Sequence, residues 1–123
     1  MVNLGGATEN DRKKIVITKD SKAFFHNNVD YCVGTGRMGL ALTEEYQEEL
    51  RLVQKEIGFK HIRGHGLFCD DMAIFQTYEE DGKVRVEYNY TYLDRVMDAY
   101  KKVGLRPFLE LGFMPKKLAS GSQ

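Results

Sequence analysis

The chain has no surplus of charge of either sign: Lys plus Arg and Asp plus Glu number 18 each among 123 residues. Without a basic excess it carries no electrostatic footprint for a nucleic acid or an anionic membrane surface. No apolar run approaches the ~20 residues that a membrane-crossing helix needs. The opening residues, Met1-Val2-Asn3-Leu4-Gly5-Gly6, lack the basic-then-apolar pattern of a secretory signal. Cysteine is scarce, limited to Cys32 and Cys69, and neither belongs to a CxxC motif or a Cys/His cluster. Two buried thiols are therefore expected rather than a disulfide, with no zinc site. These absences predict a cytoplasmic chain that needs neither metal nor cofactor. A hydrophobic content of 42% with 29% charged residues makes it globular, and its length allows one domain at most.

Residues 1–13 are polar and glycine-containing. Lys14-Ile15-Val16-Ile17-Thr18 is a short β-branched strand candidate, set apart from the remaining elements by Asp20-Ser21-Lys22. A strand over Tyr31-Cys32-Val33 breaks at Gly34-Thr35-Gly36. The spacing of Tyr46, Leu50, Val53 and Ile57 predicts a helix from about Thr43 to Ile57, with Thr43 as N-cap and Gly58 as its stop. A second strand covers Phe59 to Gly64. An inserted hairpin comes next, with arms at Met72–Tyr78 and Lys83–Tyr88 and a type I′ turn at Asp81-Gly82. Thr91 and Asp94 have the spacing of a capping box for a second helix, whose apolar face is Leu93, Val96, Met97, Tyr100 and Val103. A third strand runs from Arg106 to Leu111. Strands alternating with helices imply parallel pairing with right-handed crossovers, hence an α/β fold.

The chemistry gathers at strand ends. Arg63 and His65 are two apart, so they share one face at the C-terminal end of the second strand. A permanent cation then stands beside a ring that titrates near neutrality. Either alone has a structural explanation, Arg63 paired to an acid and His65 as a satisfied core histidine. Their shared face and the flanking Gly64 and Gly66 point to a site. Glu110, near the end of the third strand, needs a partner there and could take Arg63. Asp70-Asp71 reads as a turn rather than a pair of metal ligands. Gly34-Thr35-Gly36-Arg37-Met38-Gly39 satisfies GxGxxG after a strand, which admits a nucleotide-binding α/β domain. However, Thr43 starts its helix late, and the second strand ends in Arg63 and His65 instead of the expected acid. A small binding module that completes its sheet by self-association is the non-enzymatic alternative.

Taken together, several stretches resemble the N-terminal part of glycoside hydrolase family 39, in its bacterial β-xylosidase branch. They are Tyr31-Cys32-Val33-Gly34-Thr35-Gly36-Arg37, Ile62-Arg63-Gly64-His65-Gly66-Leu67, Asp70-Asp71, Tyr88 to Arg95, Arg106-Pro107-Phe108 and Gly112-Phe113-Met114-Pro115 with Lys116 to Gly121. The resemblance spans residues 29–123. It implies a partial (β/α)8 TIM barrel comprising its first three strands, with residues 1–28 a separate segment whose early strand belongs to an accessory β-sandwich. It implies a retaining glycosidase acting on xylo-oligosaccharides, without cofactor. Arg63 would hold the nucleophilic carboxylate ionised, His65 would contact sugar hydroxyls, and Phe113 and Gly36 would line the same pocket. Both catalytic glutamates of the family would lie beyond Gln123, so the 123-residue chain alone is expected to be inactive.

Overall fold

Short β-branched and glycine-containing segments, each followed by an amphipathic stretch, build a layered sheet-and-helix unit. The computed structural model describes residues 15–16, 19 and 26–121. In chain order the elements are β1 (Cys32–Arg37), α1 (Glu44–Glu56), β2 (His61–His65), β3 (Phe75–Glu80), β4 (Lys83–Tyr88), α2 (Thr91–Lys102) and β5 (Arg106–Leu109). Three 3-10 turns, Met38–Leu42, Asp70–Met72 and Lys116–Leu118, complete the set. β1, β2 and β5 form a parallel sheet in the order β1-β2-β5, and β3 with β4 forms a separate antiparallel hairpin. The expected early strand at 14–18 falls largely outside the described residues. Among the described residues no helix is long and apolar enough to cross a membrane.

The two faces of the parallel sheet differ in character. Ile62 and Gly64 on β2 are buried toward the helices. Met38, Leu50, Ile62, Val96, Tyr100 and Leu105 make the centre of that core. Cys32, His61 and Arg106 form one register row, and Gly34, Arg63 and Phe108 form the next. Side-chain alternation puts these rows on the other face. That face is open: Arg63 is exposed, and Phe108 is 58% exposed. A parallel sheet is ordinarily covered on both sides.

Several local expectations need correction. β1 does not break at Gly34; it runs through Gly34, Thr35 and Gly36 to Arg37, with a register irregularity between Gly34 and Arg37. Two residues of β1 there, Thr35 and Gly36, oppose the single residue Gly64 of β2, and glycine accommodates the kink. Gly34 and Gly36 are thus strand residues and Gly39 lies in the 3-10 turn that follows, so the strand-to-helix turn that would cradle a pyrophosphate does not form. Thr43 does occupy the N-cap position of α1, but its hydroxyl donates back to the Leu40 carbonyl at 2.8 Å instead of capping the helix. At α2 the capping box does not form. The Thr91 N–H is taken by Asn89 Oδ1 at 2.9 Å, and Tyr90 is the N-cap. The hairpin turn meets its expectation, with positive φ at both Asp81 (51°) and Gly82 (71°). Cys32 and Cys69 are free thiols as expected, but half-buried rather than buried.

Tyr100 is fully buried, and its hydroxyl has no hydrogen-bond partner. Burial, and then the nearby Tyr46, push its ionisation above the ordinary tyrosine range. The neutral form is the one the fold accepts, so stability is intact below about pH 10, the ordinary tyrosine value, and falls as pH rises past it. A buried hydroxyl left unpaired costs roughly 1–3 kcal/mol. Tyr100→Phe is therefore expected to leave denaturant stability at pH 8 unchanged or about 1 kcal/mol higher, and to blunt its alkaline loss. Chemical denaturation at pH 8 and above pH 10 checks both, and a variant that weakens more steeply with alkali contradicts the argument.

Candidate functional site

Parallel pairing sends the C-terminal ends of β1, β2 and β5 to a common rim, where the chain must turn back toward the helices. Arg37, the last residue of β1, partners His65, the last residue of β2. Beyond β5, the Glu110 N–H still donates to the Gly64 carbonyl at 3.2 Å. This extra bond carries Glu110 to the rim, on the same face as Phe108 and Arg63. Arg63 Nη2 and Glu110 Oε1 meet at 3.0 Å, with side chains 57% and 36% exposed. The acidic partner anticipated for Arg63 is thus Glu110.

His65 is half-buried, and its Nδ1 is shielded from solvent without a hydrogen-bond partner. Its ring meets Phe113 edge-on, with centroids 5.8 Å apart and planes at 77°. Phe113 lies after β5 in the loop that returns over β2, where the Phe68 N–H donates to the Gly112 carbonyl at 3.4 Å. His61, deeper on the same strand, has a structural partner: its Nδ1 lies 3.1 Å from the Tyr31 carbonyl oxygen.

A cleft of about 280 Å³ opens beside this pair, lined by Arg37, Cys69, Asp70, Asp71, Phe113, Met114 and Lys116. Gly66, at φ +77°, allows the sharp departure from β2 that leads into the 3-10 turn holding Asp70 and Asp71. Both acids have partners. Asp70 Oδ1 accepts the Lys116 backbone N–H at 3.1 Å, and Asp71 Oδ2 lies 3.7 Å from Arg37 Nη1. Arg37 Nη2 also reaches Cys69 Sγ at 3.6 Å. Among the described residues, no three His, Cys, Asp or Glu side chains gather as a metal site. Gly36 stands one residue before Arg37 and, like Arg63 and His65, is not among the residues lining this cleft; a Cβ placed there would meet Leu40 Cδ1 at 3.7 Å.

Arg37, Cys69 and Lys116 are cleft residues that sequence reasoning does not single out. Arg37 has a visible signal, being the polar residue that ends β1 as Arg63 and His65 end β2. Cys69 and Lys116 have none, because loop closure alone brings them in. The rim mixes fixed cations, carboxylates, a histidine and an exposed aromatic edge. That combination suits a small polyhydroxylated ligand, whose hydroxyls exchange hydrogen bonds with the charged groups and whose C–H surface rests on the ring.

Known proteins share this arrangement of elements. The model for glycosyl hydrolases family 39 matches residues 13–123. A β-xylosidase of Geobacillus stearothermophilus is 50% identical over 111 residues, covering 90% of this chain and 22% of its own length. A β-xylosidase of Caldicellulosiruptor saccharolyticus is 37% identical over 93 residues, covering 75% of this chain and 18% of its own. Among solved structures, a GH39 β-xylosidase from Caulobacter crescentus superposes with a TM-score of 0.67 at 33% identity, over 75% of this chain and 20% of that one. The GH39 enzyme from Xanthomonas axonopodis pv. citri gives a TM-score of 0.64 at 35% identity, over 75% of this chain and 17% of that one. The chain spans about a fifth of the length of the curated relatives it matches.

Proposed function

The chain belongs to glycosyl hydrolase family 39, and from that membership we propose that residues 29–123 form the first three strands, with the two helices that connect them, of a (β/α)8 barrel in a retaining β-xylosidase. On this reading residues 1–28 contribute a strand to an accessory β-sandwich. The observation that carries the proposal is the rim. Arg63, His65 and Glu110 stand together at the C-terminal ends of adjacent parallel strands, which is where barrels of this type hold their active sites.

The reaction removes a terminal xylose from a short xylo-oligosaccharide. It needs two carboxylates about 5–5.5 Å apart, one attacking the anomeric carbon and the other protonating the leaving oxygen and then activating water. Neither Asp70 nor Asp71 is assigned to that pair, since one is engaged by the Lys116 backbone and the other by Arg37. Arg63 is assigned to the attacking carboxylate. A fixed guanidinium beside it favours its ionised form and sets its orientation. His65 is assigned to sugar hydroxyls, and Phe113, packed against it, to the apolar side of the ring. Purified as 123 residues, the chain is expected to release no xylose.

The test is a graft. Residues 13–123 of this chain replace the matching part of the Geobacillus stearothermophilus β-xylosidase, and hydrolysis of an aryl β-xyloside is monitored. Turnover within about tenfold of the parent enzyme is expected, because a rim that meets the same chemistry retains most transition-state contacts. A folded graft that releases no xylose sinks the proposal. Saturable dinucleotide binding by the 123-residue chain would revive the nucleotide alternative, which β1 disfavours by continuing through Gly34 and Gly36.

A further inference from the structure

Arg63 and Glu110 lie two register steps apart along neighbouring strands: Arg63 partners Phe108, and Glu110 is two residues beyond it on the same face. Diagonal neighbours of this kind are in reach of each other only through long side chains. Their contact is made by one guanidinium nitrogen, Nη2, and one carboxylate oxygen, Oε1, at 3.0 Å. A guanidinium has five N–H donors in a rigid plane. With one nitrogen facing Glu110, the other N–H donors of the fork remain available to a second acceptor. The Glu110 backbone is itself fixed, since its N–H bonds the Gly64 carbonyl at 3.2 Å. Glu110 is therefore anchored to the residue next after Arg63, and its side chain returns to Arg63.

We propose that Glu110 is a positioning residue, holding the Arg63 guanidinium so that its free donors face the place on the open sheet where the attacking carboxylate stands. The inference rests on the β-xylosidase reading of Arg63 and adds to it a residue that acts only through that arginine. Glu110 also tempers the field of the cation, because a carboxylate so close offsets part of the charge that a second carboxylate would feel. Other charged or titratable groups face the pair from each neighbouring strand. Arg37 on β1 is tied to Asp71. His61 and His65 flank Arg63 on β2, and Arg106 lies opposite His61 on β5. None of these has Arg63 as its partner, so Glu110 is the acid placed to tune it.

The experiment uses the active graft. In Glu110→Gln, kcat/KM is expected to fall about tenfold, most of it in kcat, because the fork loses its anchor. The acid limb of the kcat/KM profile is expected to move to lower pH by roughly half a unit to one unit, since the attacking carboxylate then feels an untempered guanidinium. Glu110→Asp, which keeps the charge, should return the limb toward the parent position. In an Arg63→Gln background, Glu110→Gln should cost less than threefold further. The position of the limb is read from active molecules alone, so partial misfolding does not move it. An unmoved limb, or an equal loss in both backgrounds, overturns the inference. A second readout needs no turnover, and it decides the case if the graft is inactive and the xylosidase reading falls. Nitrogen-resolved NMR of the 123-residue chain should show restricted rotation of the Arg63 guanidinium that is lost in Glu110→Gln; free rotation in the parent chain overturns the pairing itself.

Discussion

Arg63→Gln is expected to lower kcat/KM of the grafted xylosidase by about 100- to 1,000-fold, the range typical of removing one preorganised electrostatic partner from an active site. The same change should move the acid limb of the profile upward. Without the cation the attacking carboxylate holds its proton to higher pH, so more of the enzyme is in the wrong form near neutrality. This direction is opposite to that expected for Glu110→Gln, and the opposition is informative. A residue that merely braced the fold would change the amount of active protein without displacing the limb either way. Initial rates from about pH 4 to 8, the span over which a carboxylate and a histidine titrate, are enough to see it. If Arg63→Gln keeps near-parental kcat/KM, Arg63 has no part in holding the nucleophile.

Gly64→Ala should destabilise the chain by about 1–3 kcal/mol, the usual cost of forcing an extra methyl into a filled core. A Cβ at Gly64 would lie 2.8 Å from Met38 Cγ and 2.9 Å from Thr35 Cγ2. Met38 is fully buried, and Thr35 is a stiff β-branched residue whose hydroxyl bonds that of Tyr46. Neither can withdraw without disturbing the 3-10 turn after β1 or the face of α1. The neighbouring strand supplies the control. Gly34 pairs with Arg63 on the open face, and a Cβ there meets nothing within 4 Å. Gly34→Ala should therefore change stability by less than about 0.5 kcal/mol, as for other uncrowded positions. Denaturant midpoints of the two variants in the same chain make the comparison. Equal losses at both glycines would mean that backbone freedom, and not crowding against Met38 and Thr35, sets the requirement.

The wild-type glycine also serves the rim. Gly64 lies between Arg63 and His65, and its missing side chain lets β1 and its turn press close behind the strand. The two polar groups are thereby backed by a packed surface formed from Met38 and Ile62. Strain at Gly64 would be passed on to both of them.

The periodicity of Tyr46, Leu50 and Val53, and of Val96, Tyr100 and Val103, is enough to place both helices and their buried faces. Positive φ at Asp81 and Gly82 is legible from an Asp-Gly pair between two strand-like arms, because few residue pairs tolerate that turn. The i, i+2 spacing of Arg63 and His65 by itself assigns them to one face, since strand geometry has a period of two. These features are local, and local physics determines them.

The tertiary structure decided what depends on partners far along the chain. Gly34-Thr35-Gly36 looks like a loop in isolation, yet it is held in the strand between two pairings with β2, Gly34 with Arg63 and Arg37 with His65. Thr43 and Thr91 have the composition of caps, but their hydroxyls or amides found other partners in Leu40 and Asn89. The choice of Glu110 for Arg63 required β5 to lie next to β2, and the contact of His65 with Phe113 required the loop after β5 to fold back over that rim. Such contacts depend on register and loop closure. Those are set by the burial of Ile62, Val96, Tyr100 and their neighbours as a group, and no single stretch of sequence carries that information.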